Sequence, residues 1–169
     1  MNIFKSILIT GGAGFIGSHL VRRMVKRYQD TQIVNLDILT YASNLALLDD
    51  FKDQSNYKFV KEDINNFDAL QVLFSKYDFD AVIHLAAESH VDNSIKSPGQ
   101  FIQSNIIGTY NILRSINKNT FLIHISTDEV FGHVENNQAF KETTKYNPRS
   151  PYSASKASAD HLVSAWNVT

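Results

Sequence analysis

One stretch limits this chain more than any other: Gly11-Gly12-Ala13-Gly14-Phe15-Ile16-Gly17, directly after the apolar run Ser6–Thr10 and directly before an amphipathic run at 15–28. Its spacing satisfies G-x-x-G-x-x-G from Gly11 and G-x-G-x-x-G from Gly12. Glycines alone only turn a chain, but a strand before, a helix after and an acidic residue about 20 residues on form the dinucleotide fingerprint. Asp37, at the end of the second apolar run, supplies the acidic residue. Each part has a chemical reason. Glycines let backbone approach a pyrophosphate, a helix N-terminus presents free N–H groups and a positive dipole end, and a carboxylate accepts from ribose hydroxyls. That carboxylate repels the extra phosphate of NADP, so NAD is the expected cofactor.

The rest of the chain repeats this alternation. Apolar runs at 6–10, 32–37, 57–61, 81–85 and 121–126 read as five strands buried on both faces, separated by helical patterns. This predicts an α/β, Rossmann-like three-layer sandwich: a mostly parallel sheet in the order 3-2-1-4-5 with helices on both faces. In the first helix Ile16, Leu20, Val21 and Met24 form the apolar side, and Arg22, Arg23, Lys26 and Arg27 a solvated one. Ser97-Pro98-Gly99-Gln100 carries an N-cap, a first-turn proline and a capping-box glutamine, so a helix is expected over 97–117. Ser150-Pro151 opens the last helix, expected to be still running at Thr169, and 132–148 reads as a long loop.

With 169 residues the chain has room for one core, and one domain is expected. Lys and Arg number 16 against 17 Asp and Glu, a balance that offers no field for nucleic acid or anionic membrane. Cysteine is absent, so there is neither a disulfide nor a thiolate metal site, and the six histidines form no HxH or HxxxH pair. His84 and His124, inside apolar strands, read as satisfied core residues. The apolar start is too short for a signal peptide, and no run reaches transmembrane length. The expected location is cytoplasmic.

Three polar groups interrupt this framework. Tyr152 and Lys156 stand four apart, on one helix face; an ammonium beside a phenol would lower its pKa and make Tyr152 a base for a hydroxyl proton. Ser126-Thr127-Asp128-Glu129 ends the fifth strand, where open α/β sheets bind ligands, and two adjacent carboxyls in different surroundings can divide into acid and base. Thr127 has a hydroxyl to donate to a substrate oxygen. Leu85-Ala86-Ala87-Glu88-Ser89-His90 ends the fourth strand; its alanines suit either close passage of a cofactor or tight packing, and Ser89 suits a ribose or substrate hydroxyl.

Together these stretches resemble the extended short-chain dehydrogenase/reductase superfamily, and within it the 4,6-dehydratases of nucleotide-linked glucose. The resemblance rests on 10–18, 85–92, 126–132 and 150–158, with 37–44 similar too, and covers essentially the whole chain. Related epimerases share the glycine turn and the Tyr-Lys pair but carry small residues at 128 and 129. The resemblance implies NAD contacts from Gly11, Gly14, Phe15, Ile16, Gly17, Asp37, Ile38, Leu39, Thr40, Asp63, Ile64, Leu85, Ala86, Ala87, Ser89, Ser104, Tyr152 and Lys156, with Ser89 and Thr127 touching the hexose of dTDP-glucose. It implies a lyase in which Tyr152 takes the C4 hydroxyl proton, Glu129 the C5 proton, and Asp128 protonates the leaving C6 hydroxyl. It further implies service to deoxysugar synthesis and a homodimer through the helices at 97–117 and 150–168. Ile38, Asn93 and Phe131 depart from the Lys, Arg and Tyr usual there. Such proteins run to about twice this length, so a C-terminal substrate domain is expected to lie outside this chain. An NAD-binding fragment without turnover, or a related dehydratase or epimerase, are the alternatives.

Overall fold

The computed structural model describes residues 4–134 and 139–168. Residues 1–3, part of the loop expected over 132–148, and Thr169, where the last helix was expected still to run, lie outside the described residues. Two compact units divide the chain: 1–86 with 114–125, and 87–113 with 126–169.

The first unit holds a parallel five-stranded sheet in the order β3-β2-β1-β4-β5. The strands are β1 (Ser6–Thr10), β2 (Gln32–Asp37), β3 (Tyr57–Lys61), β4 (Ala81–His84) and β5 (Phe121–His124). Ile7, Ile9, Ile33, Tyr57 and Ile83 alternate along the strands and meet Val21 and Val25 of α1 (Phe15–Arg27) and Leu48 and Phe51 of a 3₁₀ segment (Leu45–Phe51). Leu8, Val34 and Val82, on the opposite face, are fully buried as well. The unit's second α-helix, α2 (Phe67–Tyr77), begins at Asn66, whose side chain accepts from Ala69 N–H, and ends at Asp78 in a left-handed conformation.

Three expectations need correction here. The fourth and fifth strands stop at His84 and His124, one and two residues short of the apolar runs. β3 and β5 are not buried on both faces: both are edge strands, Lys58 and Lys61 of β3 are exposed, and Phe121 and Ile123 of β5 are 56% and 41% exposed. The basic side of α1 is also not wholly solvated, because Arg22 and Lys26 lie over the Phe51 ring and Arg22 Nη1 donates to Leu47 O.

The helix expected over 97–117, most of it in the second unit, is helical from 98 to 115 but not uniform. It runs as α4 (Pro98–Phe101), a π-helical stretch (Ile102–Gly108) and α5 (Thr109–Ser115), preceded by the short α3 (Val91–Lys96). Ser97 makes no side-chain cap; Gln100 N–H bonds its carbonyl instead. The expected capping box belongs to the last helix, α6 (Pro151–Val168), where Ser150 Oγ accepts from Ser153 N–H at 3.0 Å and Ser153 Oγ from Ser150 N–H at 2.9 Å. No described helix is long and apolar enough to cross a membrane.

Candidate functional site

The glycine turn is built by close packing within the first unit. Gly11 has φ +71, and a Cβ there would lie 2.6 Å from Ala86 N. A Cβ on Gly17 would run into Gly11 O and come 2.7 Å from Gly12 Cα, so the first turn of α1 sits directly against the loop. That helix starts at Gly14 with no side-chain cap and no acidic residue in its first turn, and Phe15 and Ile16 are exposed. Its N–H groups and positive dipole end are therefore left for an anion, which fits a dinucleotide pyrophosphate.

Asp37 is 5% exposed and holds the turn together: Oδ2 accepts from Ala13 N–H at 2.9 Å, and Oδ1 from Leu39 N–H and Ser43 Oγ, each at 2.8 Å. A carboxylate has about four acceptor positions, so these contacts do not exhaust it. Leu39 is left-handed, at φ 63, which allows its N–H to turn back to Asp37; Ile38 and Thr40 beside it are exposed. Past β3, Asp63 Oδ1 accepts from Asn65, and Ile64 is buried. Past β4, Thr10 Oγ1 shares a 2.6 Å hydrogen bond with His84 Nδ1 and accepts from Ala86 N–H, fixing Leu85 and Ala86 beside the turn. The expected cofactor contacts of this unit thus all lie at or just beyond the carboxyl ends of β1 to β4. Asn35 and Tyr57 carry no motif, yet Asn35 Nδ2 donates to Tyr57 Oη beneath the turn, and Asn35 Oδ1 would collide with a Cβ on Gly12.

In the second unit the acid–base candidates converge. Thr127 caps a 3₁₀ turn (Asp128–Phe131), accepting from Glu129 N–H. Val130 anchors that turn in the interior, and Gly132, at φ +95, closes it where a Cβ would stand 2.5 Å from Asn147 O. Tyr152 is buried on α6, its hydroxyl hydrogen-bonded to Thr127, with Glu129, Asp128 and Asp160 all close enough to act on its charge. The phenol pKa is raised, not lowered as the Tyr-Lys spacing suggested. Burial is the main cause, the three carboxylates add to it, and the Thr127 hydrogen bond only partly opposes them. Lys156, also buried, has its pKa lowered to about 8 by desolvation, with Asp160 pulling the other way.

Ala87 and Ser89 are exposed on the segment leading into α3, and Ser104 is half-buried within the π-helical stretch. Sequence reasoning missed the residue that ties these pieces together. Asn105, 1% exposed, accepts from Glu88 N–H at 2.8 Å and donates to Glu88 O and Ser155 Oγ, each at 2.9 Å. One amide thereby joins the 87–90 segment to α6 beside Tyr152 and Lys156. The available signal was a lone Asn within Ile102–Gly108, a stretch otherwise patterned as an amphipathic helix. Among the described residues, no cluster of three or more acidic or histidine side chains has the arrangement to hold a metal ion.

Known proteins share this fold. The dTDP-glucose 4,6-dehydratase of Salmonella typhimurium is 51% identical over 96% of this chain and 50% of its own length. Among solved structures, the dTDP-glucose 4,6-dehydratase of Bacillus anthracis in complex with NAD superposes with a TM-score of 0.85 at 40% identity, covering 95% of this chain and 50% of that one. The Streptomyces venezuelae dTDP-glucose 4,6-dehydratase, solved with NAD bound, gives a TM-score of 0.90 at 38% identity over 97% and 52%. The chain thus spans about half the length of the relatives it matches. With the family model described as GDP-mannose 4,6 dehydratase matched over residues 8–169, the chain belongs to that family.

Proposed function

We propose that this chain is the NAD-binding and catalytic part of a dTDP-glucose 4,6-dehydratase, a lyase converting dTDP-glucose to dTDP-4-keto-6-deoxyglucose. The observation that carries the reading is the meeting of Tyr152, Thr127, Asp128 and Glu129: a hydroxyl acid–base group hydrogen-bonded to a threonine, with two carboxylates at hand. NAD, when bound, accepts hydride from sugar C4 and returns it to C6. The uncapped start of α1 suits its pyrophosphate, and buried Asp37 suits a ribose without a phosphate. Gly11, Gly14, Phe15, Ile16 and Gly17, then Ile38, Leu39 and Thr40, Asp63 and Ile64, and Leu85 and Ala86 line the strand ends from which the first unit would hold it; Ala87, Ser89, Ser104, Tyr152 and Lys156 are the contacts from the second.

Tyr152, as the phenolate, removes the proton from the C4 hydroxyl as hydride leaves C4, and Thr127 donates to the same oxygen; the raised pKa makes the phenolate a minor form without cofactor, and the positive charges of bound NAD and of Lys156 would favour it. The resulting ketone acidifies the C5 proton, which Glu129 removes. Asp128 protonates the C6 hydroxyl as it departs as water, the role the family resemblance implies for it. An epimerase needs no acid and base at 128 and 129, so this pair favours dehydration. The helices of the second unit leave Ile102, Ile107, Tyr110 and Trp166 at least 37% exposed, an apolar surface that suits a homodimer through 97–117 and 150–168. Balanced charge and the lack of a membrane-crossing helix among the described residues fit a cytoplasmic enzyme.

The test is Glu129→Gln in a protein of the relatives' length that carries this sequence. With dTDP-glucose it should reduce bound NAD but release no water, so NADH accumulates. Normal formation of the 4-keto-6-deoxy sugar would remove Glu129 as the base.

A further inference from the structure

Asp160 has no part in the chemistry above, yet several elements of the second unit close on it. Its Oδ2 accepts from Ser126 Oγ at 2.5 Å and from Tyr146 Oη at 3.0 Å, both charge-assisted hydrogen bonds. Tyr146 stacks edge-to-face on Phe131, the last residue of the 3₁₀ turn, and packs against His161 at 5.0 Å. Ser126 immediately precedes Thr127, Asp128 and Glu129. Asp160 also stands one helical turn beyond Lys156 and two beyond Tyr152 on α6.

We propose that Asp160 is a positioning residue: its carboxylate ties the 126–129 segment and Tyr146 to α6, holding the acid and base against Tyr152, and supplies the negative charge beside Lys156. The inference rests on the proposed dehydratase reading for its activity assay only. Of the groups around α6, Asp160 is the charge that acts on Lys156, opposing its desolvation, whereas Asp128, Glu129 and Asp160 all act on Tyr152. Tyr146 also faces the carboxylate, through its hydroxyl, and His161 packs on the Tyr146 ring. With its pKa about 8, Lys156 is mostly charged at neutral pH, and losing Asp160 moves the titration further down.

Asp160→Asn keeps the shape and removes the charge. In a chain of the relatives' length, kcat for dTDP-glucose should fall modestly at pH 6 and by roughly five-fold or more at pH 8, because a midpoint one unit lower leaves about a tenth of Lys156 charged there instead of about half. KM should stay within about two-fold, since Asp160 touches no substrate, and Asp160→Glu should recover much of kcat. Ser126→Ala should lower kcat by a similar factor at every pH. NMR titration of ¹⁵N-lysine-labelled protein should place the Lys156 midpoint lower in Asp160→Asn than in wild type, and unmoved in Ser126→Ala. A pH-independent loss in Asp160→Asn with an unmoved Lys156 midpoint would overturn the proposal. If Asp160→Asn does not fold, wild-type kcat in both Ser126→Ala and Tyr146→Phe overturns it, and loss in either supports it. Absence of turnover in the wild type would defeat the dehydratase reading instead, while the Lys156 midpoints still decide the role of Asp160.

Discussion

Replacing Asn105 with alanine removes a side chain that serves three partners at once, Glu88 N–H, Glu88 O and Ser155 Oγ, from a position that is 1% exposed. Ser155 Oγ keeps its bond to Tyr152 O at 2.7 Å, so the damage falls on the two backbone groups of Glu88. Each buried group left unsatisfied costs about 1–3 kcal/mol, and Glu88 is half-buried, so water recovers part of this. Alanine's better helix propensity returns roughly 0.5 kcal/mol. The net loss is about 2–4 kcal/mol, which for a chain of this size lowers Tm by roughly 5–15 °C. Asn105→Asp sharpens the test. It keeps the acceptor for Glu88 N–H but turns the two donors into a carboxylate facing a carbonyl and a hydroxyl. Burial raises such an acid's pKa in the folded state, so stability falls as pH rises above the unfolded carboxyl range, and the variant should be least destabilised near pH 4. Calorimetry from pH 4 to 8 reads both effects. A Tm drop under about 2 °C in Asn105→Ala would refute the claim that this amide holds the 87–90 segment to α6.

Two further outcomes follow from the same geometry. Asp37→Ala frees Ala13 N–H, Leu39 N–H and Ser43 Oγ together and removes the repulsion of a ribose phosphate; isothermal calorimetry should show NAD affinity falling at least ten-fold and the preference over NADP disappearing. A desolvated ammonium with its pKa lowered from 10.5 to about 8 opposes folding below pH 8, and that cost fades as pH climbs from 8 toward 10.5. Lys156→Met should therefore be inactive yet more stable at pH 7 by up to roughly 3 kcal/mol, with the advantage shrinking above pH 8; equal denaturation midpoints for both proteins at pH 7 would contradict this.

The first two strands and the glycine turn could be read directly, because a run such as Ile7, Leu8, Ile9 is buried on both faces inside a parallel sheet. β5 could not be graded that way: Phe121 and Ile123 look like core residues, and only the strand order makes them edge residues. The π-helical stretch is invisible in a periodicity analysis, since the same side chains suit an α-helix and the extra residue per turn shows only in the backbone. Tyr152, Thr127, Asp128 and Glu129 could be picked out as polar residues at the ends of apolar elements. The direction of the Tyr152 shift was not legible, because it is set by burial and by the carboxylates of Glu129, Asp128 and Asp160, which only the fold brings around the phenol. Asp160 and Asn105 escaped notice for a related reason: their partners lie between 14 and 50 residues distant in sequence.

In the proposed reaction, hydride taken from C4 returns to C6 with loss of water. A protein of the relatives' length carrying this sequence, given NAD and dTDP-glucose deuterated at C4, tests it most directly by mass spectrometry and NMR of the product. The product should be a 4-keto-6-deoxy sugar with the deuterium at C6, formed with no net consumption of NAD. A product that retains deuterium at C4, or that forms without NAD, would contradict it.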